Sequence, residues 1–279
     1  MKFTKMHGAG NDFIIINNMD GAIPEPRLPA LAAGLCAQHR SVGADGLMVV
    51  ARPFCGGDYR MMFYNSDGSI GEMCGNGARC IARYGYENGL AGETQRIETH
   101  AGLVVGQRVT KRLYRIRLND PSVAEAHRIV SIGGVEYDCA YAELGEPGIP
   151  HAVLRLPDWD EWERDKLREL GRALRFAGEF PRGANVSFVK TLGAERVKAI
   201  TYERGVEDFT LACGTGCGAI ATSLRLLGLG GESVEVVMPG GELRVELSES
   251  AGSVRDIYLT GPTNLVCVGE IFDEDIDLD

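Results

Sequence analysis

Two cysteines in the chain share one local setting. Cys74 lies in "EMCGNGARC" and Cys213 lies in "LACGTGCGAIA", so each precedes a Gly-x-Gly sequence and a helical pattern. A thiol at a helix N-terminus interacts with the positive end of the helix dipole, and this interaction lowers the thiol pKa and favours the thiolate. The N–H groups of the same turn form an anion site that suits a carboxylate. Each turn therefore offers an acid or a base beside a carboxylate-binding backbone.

The spacing of the two cysteines suggests that they act together. They are separated by 213 − 74 = 139 residues, about half of the 279-residue chain. If two similar halves face each other, one thiolate removes a proton from a carbon and the opposite thiol returns one, which inverts the stereocentre. A single cysteine beside a glycine is more often a core residue. The matched pair favours the catalytic interpretation.

Composition narrows the class of protein. The hydrophobic content of 44% suits a large core, and the net charge of −10 argues against a nucleic-acid or anionic-membrane surface. The apolar runs are too short to cross a bilayer, and the first residues lack the pattern of a signal peptide. We therefore expect a cytoplasmic protein without nucleic-acid or membrane partners. The eight cysteines are expected to be free thiols, because their spacing fits neither a disulfide framework nor a usual zinc site.

The order of predicted elements repeats along the chain. Many short alternating runs with Gly, Asp and Asn between them predict mostly antiparallel sheet. Apolar residues at helical spacing predict four helices, at 27–39, 77–89, 162–176 and 217–230. Each half has strands, a Cys-Gly-x-Gly turn, a helix and further strands. The turn residues of "LNDP", from Asn119 to Pro121, predict the break between two α+β halves.

Several polar residues are candidates for the same site, and each also has a plain structural interpretation. An asparagine can hydrogen-bond a ligand ammonium or carboxylate, but in a turn it is often only a turn former. An arginine can bind a carboxylate through two N–H groups, or it can form an exposed ion pair of little energetic value. A lone histidine is usually structural, yet it can tune a nearby thiol. These candidates are Asn11, Asn65, Asn185, Glu203, Arg204 and His151.

The motifs together resemble one family. "HGAGNDF", "GADGL", "YNSDGSIGEMCGNGARC", "PHAV", "NVSFV", "YERGVEDFTLACGTG" and "GPTNLVCVGE" occur in this order over nearly the whole chain. The chain thereby resembles diaminopimelate epimerases, which need no pyridoxal phosphate. The resemblance implies an α+β fold of two pseudo-symmetric domains, each a mostly antiparallel sheet wrapped around a central helix. Residues 1–118 plus 262–279 would form the domain that carries Cys74, and residues 119–261 the domain that carries Cys213.

The resemblance also implies roles for individual residues. The catalytic cysteines of the family match Cys74 and Cys213, with the family's histidine and glutamate near them at His151 and Glu203. No metal and no cofactor are expected, the substrate is a small amino acid, and homodimers are usual in the family. Positions that match the family's substrate-binding residues are Asn11, Asn65, Gly75, Asn76, Asn185, Glu203, Arg204, Gly214 and Thr215.

The chain departs from the family pattern at a position that concerns the substrate. Ile149 stands where the family usually has an asparagine that holds the distal end of diaminopimelate. A lost polar partner in such a site costs roughly 1–3 kcal/mol. The loop "GVEDFTLACG" is also one residue longer than the shorter family form. LL- to meso-diaminopimelate epimerisation remains the first hypothesis. A racemase of another amino acid, such as histidine, is an alternative, and a ligand- or metal-binding protein without catalysis is another.

A further class of enzyme shares the duplicated fold that the resemblance implies. Isomerases of the phenazine-biosynthesis type have this fold but lack the thiol pair. The presence of both Cys74 and Cys213 argues against that class.

Overall fold

A computed structural model of the chain describes residues 1–71, 73–250, 252–272 and 276. The chain divides into two compact units. Unit 1 comprises Met1–Ile116 with Gly261–Asp279, and unit 2 comprises Arg117–Thr260. These borders fall within two residues of the predicted domain borders. Residues 273–275 and 277–279, which the sequence assigns to the N-terminal domain, lie outside the described residues.

Unit 1 is built from strands, two α-helices and a short 3-10 helix at Glu25–Arg27. The helices are α1 (Leu28–Leu35) and α2 (Gly75–Glu87). The strands are β1 (Lys2–Gly8), β2 (Asn11–Asn17), β3 (Gly46–Ala51), β4 (Tyr59–Asn65), β5 (Ile70–Gly71), β6 (Thr94–Thr99), β7 (Gly102–Arg108), β8 (Leu113–Arg117) and β18 (Asn264–Glu270). Their order in the sheet is β18, β1, β2, β3, β4, β6, β7, β8, with β5 also paired to β4.

Unit 2 has the corresponding set of elements, with a 3-10 helix at Trp159–Glu161. Its helices are α3 (Arg164–Arg175) and α4 (Gly214–Leu226). Its strands are β9 (Pro121–Ile132), β10 (Val135–Gly145), β11 (Gly148–Arg155), β12 (Asn185–Gly193), β13 (Arg196–Glu203), β14 (Asp208–Thr210), β15 (Ser233–Met238), β16 (Gly241–Ser250) and β17 (Ser253–Pro262). Their order is β9, β10, β11, β12, β13, β15, β16, β17, with β14 also paired to β13.

The two units share one topology. In each, the sequence of pairings is antiparallel, antiparallel, parallel, antiparallel, parallel, antiparallel, antiparallel. A parallel pair needs a crossover connection, usually a helix, and each unit has two such pairs and two helices in those connections. The expected α+β class with a duplicated, mostly antiparallel sheet is confirmed.

The helices that follow the two cysteines lie at the centres of the units. Every residue from Gly75 to Gly85 of α2 is buried, and α2 packs against β1, β2 and β7. Helix α4 packs against β9 to β12, β15 and β16. Glycine makes the close approach possible, because a Cβ at Gly77 would lie 1.7 Å from Cε of Met48. Small residues such as Gly77 therefore let the sheet approach this buried helix closely.

Each unit has an apolar cluster that includes its first α-helix, α1 in unit 1 and α3 in unit 2. In unit 1, Leu28, Leu31 and Leu35 of α1 pack with buried residues of β2, β3 and β4. In unit 2, the leucines of α3 pack with Phe188 and Tyr202. Each sheet therefore has one helix that it surrounds and another that packs on its apolar face.

The starts of two helices differ from the prediction. Helices α2 and α4 begin two and three residues earlier than predicted, because the glycines after each cysteine already belong to the first helical turn.

Strands β9 and β10 form a hairpin, since Gly133 and Gly134 turn the chain with φ of 59° and 84°. L-residues with side chains seldom adopt such positive φ.

Candidate active site

Cys74 is the N-cap residue of α2. Its backbone is extended, with φ −126° and ψ 114°, and its carbonyl accepts the first helical hydrogen bond from Ala78 N at 2.8 Å. The first turn of a helix has N–H groups that the helix itself does not use. In unit 1 those groups belong to the Gly75–Asn76 turn, directly after the thiol. The structure thus places a half-buried thiol beside the backbone donors that the sequence predicts.

Asn11, at the start of β2, contacts this thiol. The Cys74 thiol donates to Asn11 Oδ1 at 3.4 Å, and Asn11 Nδ2 donates to Asp45 Oδ2. A carboxylate only accepts, so Asp45 forces the Asn11 amide to turn its NH₂ group toward Asp45 and its oxygen toward Cys74. Asp45 also accepts from Asp12 N at 3.0 Å, which ties the start of β2 to the loop before β3. The sequence motif "GADGL" contains Asp45, but its spacing gave no hint of this contact.

Asn65, at the end of β4, is engaged within its own loop. Its Nδ2 donates to Ser69 Oγ at 2.9 Å, and its N–H donates to the Ser69 carbonyl at 2.8 Å. Gly68 closes this loop with φ 85°, a conformation that favours glycine. The loop then leads through β5 toward Cys74. Asn65 is therefore positioned by the same short segment that delivers the first thiol.

Cys213 caps α4 in the same backbone conformation, with φ −115° and ψ 110°. Its environment differs, because the residue is only 6% exposed. Its sulfur accepts from Gly216 N at 3.4 Å and lies 3.7 Å from Thr215 Oγ1. Burial, followed by the nearby Glu203 carboxyl, raises the pKa of the Cys213 thiol well above its ordinary value. Here the helix-end stabilisation of a thiolate, expected from the sequence, is outweighed by desolvation.

Glu203, at the end of β13, is the acidic partner of Cys213. The Thr210 hydroxyl donates to its carboxyl group, and the Cys213 thiol lies close enough to affect its pKa. Burial raises the Glu203 pKa, and Thr210 and Cys213 oppose that shift. A carboxyl group whose pKa is raised toward neutrality, in contact with a thiol, can exchange a proton with it. Thr210 was not a sequence candidate, because no local pattern relates it to Glu203 across the hairpin of β13 and β14.

Asn185, Arg204 and His151 form a second cluster in unit 2. The parallel pairing of β11 and β12 sets His151 opposite Asn185. Asn185 Nδ2 donates to the Pro150 carbonyl at 3.2 Å, and Arg204 N donates to Asn185 Oδ1 at 2.8 Å. Both ends of the Asn185 amide thus hold the backbone, while the Arg204 side chain is exposed.

His151 is completely buried. Among the described residues, neither of its ring nitrogens has a hydrogen-bond partner. Burial, followed by the charge of Arg204, lowers the His151 pKa from 6.5 to about 3. The imidazole is therefore neutral at physiological pH and has one donor and one acceptor to offer.

Two kinds of feature are not found in the described part of the chain, a cluster of metal ligands and a helix that could span a membrane. It contains no group of three or more His, Cys, Asp or Glu side chains arranged to hold a metal ion. No helix within these residues has the length and apolarity needed to span a bilayer. No disulfide joins any of the cysteines in the described residues.

Comparison with known proteins confirms the resemblance. The family model described as Diaminopimelate epimerase matches residues 3–112 and 146–266. The diaminopimelate epimerase of Aquifex aeolicus is 37% identical over 286 residues, covering 98% of this chain and 99% of that protein. The diaminopimelate epimerase of Archaeoglobus fulgidus is 38% identical over 276 residues, with 96% and 95% covered.

A solved structure shares the fold. A probable proline racemase from Agrobacterium radiobacter K84 matches with a TM-score of 0.71 and 16% identity, covering 99% of this chain and 94% of that one. At this identity the likeness concerns the fold alone.

The buried His151 makes stability depend on pH. Its pKa in the folded protein, about 3, lies below the ordinary value of 6.5, so only the unfolded chain takes up this proton as the pH falls below 6.5. At pH 5 this proton uptake lowers the free energy of unfolding of the wild type by about 2 kcal/mol. The His151→Gln variant lacks the titrating group. We therefore expect its free energy of unfolding, measured by urea denaturation, to fall by about 2 kcal/mol less than that of the wild type between pH 7 and pH 5. His100→Gln, at an exposed turn, is the control, and equal pH dependence of all three proteins would contradict the assignment.

Proposed function

Since the chain belongs to the diaminopimelate epimerase family, we propose that it is an amino-acid epimerase whose acid/base pair is Cys74 and Cys213. The first candidate reaction is interconversion of LL- and meso-diaminopimelate. The observation that carries the proposal is the duplicated helix start. In each unit a cysteine caps a buried helix with its thiol beside the amides of the first turn.

Inversion of an α-carbon needs proton transfer on both of its faces and stabilisation of the resulting charge. We propose that one thiol takes the α-proton while the other delivers a proton to the opposite face. The α-proton is weakly acidic, so the carboxylate must be stabilised as negative charge develops on it. The first-turn amides at Gly75–Asn76 and Gly214–Thr215 are suited to that task, because donors fixed before the reaction need no reorganisation during it.

The partners of the two thiols differ in what they can do. Glu203 can accept the proton of Cys213 and return it, whereas the amide oxygen of Asn11 can only accept a hydrogen bond from Cys74. Glu203 therefore acts in this proposal as the group that adjusts the protonation state of Cys213. His151 is neutral and buried in the same unit, and it would act toward the substrate as an uncharged hydrogen-bond donor or acceptor.

The remaining polar residues are proposed to bind the rest of the amino acid. Asn11 and Asn65 lie in unit 1 at the start of β2 and the end of β4. Asn185 and Arg204 lie in unit 2, and the exposed guanidinium of Arg204 suits a distal carboxylate. Together with Glu203 and the two cysteine turns, these residues complete the proposed substrate contacts.

Ile149 bears on which amino acid is the substrate. It lies on β11 opposite Leu144 and is half-buried, two residues before His151. An isoleucine side chain offers neither donor nor acceptor to the distal end of diaminopimelate. Racemisation of another amino acid, such as histidine, is therefore kept as a second candidate.

We further propose that the enzyme works without pyridoxal phosphate or metal, in the cytoplasm, as a homodimer, within lysine and peptidoglycan-precursor synthesis. The family resemblance supports these points. A solution mass that corresponds to one chain would contradict the dimer. Loss of activity on treatment with hydroxylamine, which removes pyridoxal phosphate, would contradict cofactor independence.

Replacement of either cysteine tests the acid/base pair. We expect Cys74→Ser and Cys213→Ser each to lower the epimerisation rate at least about 1,000-fold, because a serine hydroxyl is far less acidic than a thiol. Exchange of the α-proton for solvent deuterium on one stereoisomer can persist in a single variant, since the other thiol remains. Cys80→Ser and Cys217→Ser, in the same two helices, are the matched controls. Full epimerisation by either active-site variant would refute the two-base assignment.

Exchange in deuterium oxide identifies the substrate. The panel comprises the diaminopimelate stereoisomers, histidine, lysine and glutamate, each followed by mass spectrometry. If diaminopimelate exchanges, Ile149→Asn should raise kcat/KM for it by roughly 5- to 100-fold, because it supplies the missing polar partner. Ile149→Leu is the control that keeps the site apolar. Stoichiometric metal in the purified protein, with no exchange on any amino acid, would instead favour a binding protein.

A further inference from the structure

Arg79 is a completely buried cation in α2. Its exposure is 0%, and it is the largest side chain buried to this extent among the described residues. A guanidinium keeps its charge in proteins, and burying a charge is costly unless hydrogen bonds compensate for it. We therefore expect the contacts of this fully buried arginine to compensate for the cost of burying its charge.

Two hydrogen bonds of Arg79 fall on the turn that carries Cys74. Arg79 Nη2 donates to Asn76 Oδ1 at 2.8 Å, and Nη1 donates to the Gly75 carbonyl at 3.3 Å. Asn76 is itself only 1% exposed, so its side chain points inward to the guanidinium. One planar guanidinium thus holds the backbone carbonyl of Gly75 and the side chain of Asn76 at the same time.

The end of β1 closes on the same turn. A Cβ added at Gly8 would lie 2.9 Å from the Asn76 carbonyl oxygen and 3.5 Å from Arg79 Nη2. Strand and guanidinium together leave the turn little freedom. Its amides are consequently fixed in direction.

Unit 2 shows that the helix itself does not need the arginine. Five residues after Cys213, at the position that corresponds to Arg79, stands Gly218. A Cβ there would meet Leu118 and Leu144 at 3.0 Å, so apolar packing fills that space. Helix α4 begins in the same way as α2 without a buried charge. The arginine is therefore specific to the Cys74 turn and is not a requirement of the fold.

We propose that Arg79 is a positioning residue that fixes the Gly75–Asn76 amides toward the substrate carboxylate. The inference rests on the proposed function. Arg79 acts through Asn76 and the Gly75 carbonyl and touches no substrate itself. Its loss would let the turn relax and weaken carboxylate binding, while the thiol of Cys74 and the rest of α2 remain in place.

Arg83 provides a matched control on the same helix. It is 6% exposed, donates to the Thr263 carbonyl at 2.8 Å and pairs with Glu87, away from the cysteine turn. Arg79→Met and Arg83→Met each remove a buried guanidinium and keep most of its volume. We expect both variants to lower the melting temperature. Only Arg79→Met should raise KM, by roughly 10- to 100-fold, for the amino acid that the wild type exchanges fastest in the panel.

Asn76→Ala tests the same contact should Arg79→Met fail to fold. It removes the acceptor but leaves the backbone and the arginine. We expect a rise in KM in the same direction, with Arg79→Lys, which keeps one donor, between wild type and Arg79→Met. The double variant Arg79→Met/Asn76→Ala should be no worse than the more affected single variant, because both remove one interaction.

The outcomes separate this inference from the proposed function. A wild-type protein that exchanges no amino acid overturns the proposed function and the inference with it. An active wild type whose Arg79→Met and Arg83→Met variants have the same KM overturns the inference alone. An unchanged KM in a folded Asn76→Ala variant also overturns the inference alone.

Discussion

The structure depends on two helices, α2 and α4, whose first turns lie within the curve of the sheet that surrounds each of them. Helix N-termini normally reach solvent, which satisfies their unused N–H groups. In this protein Gly75 and Gly214, the first residues of α2 and α4, are buried, so these helix starts are shielded from bulk solvent. The small residues of both helices, the closely packed sheets and the extended cysteine caps all follow from this placement. A buried row of oriented amides is costly to maintain, and an anionic ligand that pairs with it offsets that cost.

Duplication of the backbone has not duplicated the electrostatics. The two cysteines have nearly the same φ and ψ, yet one donates to an amide oxygen and the other lies against a carboxyl group. The residues near the two turns differ as well. In unit 1 the Arg79 guanidinium is hydrogen-bonded to Asn76, and in unit 2 leucine side chains fill the corresponding space at Gly218. The same local geometry therefore holds two thiols in different electrostatic surroundings. A reaction that must run through two stereoisomers has use for that difference.

Much of this architecture could be predicted from the sequence, because it is encoded locally. Alternating runs marked the strands, helical spacing marked α1 to α4, and the repeated Cys-Gly-x-Gly marked both helix starts. Asp45, Thr210 and Arg79 were not predicted as site residues. Asp45 and Thr210 act through partners that only strand pairing brings close, so no spacing in the sequence reveals them. Arg79 stands at helical spacing from Asn76, but its complete burial depends on the packing of the whole unit. The depth of Cys213 was also missed, and with it the upward shift of its pKa, because desolvation is a property of the packed unit.

Strand β18 has a consequence for the order in which the chain assembles. It pairs with β1 from Lys2 opposite Glu270 to His7 opposite Asn264. The sheet of unit 1 is therefore completed by residues that follow all of unit 2 in the sequence. During synthesis, unit 2 is continuous and can fold as soon as it has left the ribosome. In unit 1, the edge of β1 that faces β18 stays unpaired until β18 has emerged. The first thiol thus belongs to a unit whose synthesis begins before that of unit 2 and whose sheet is completed after it.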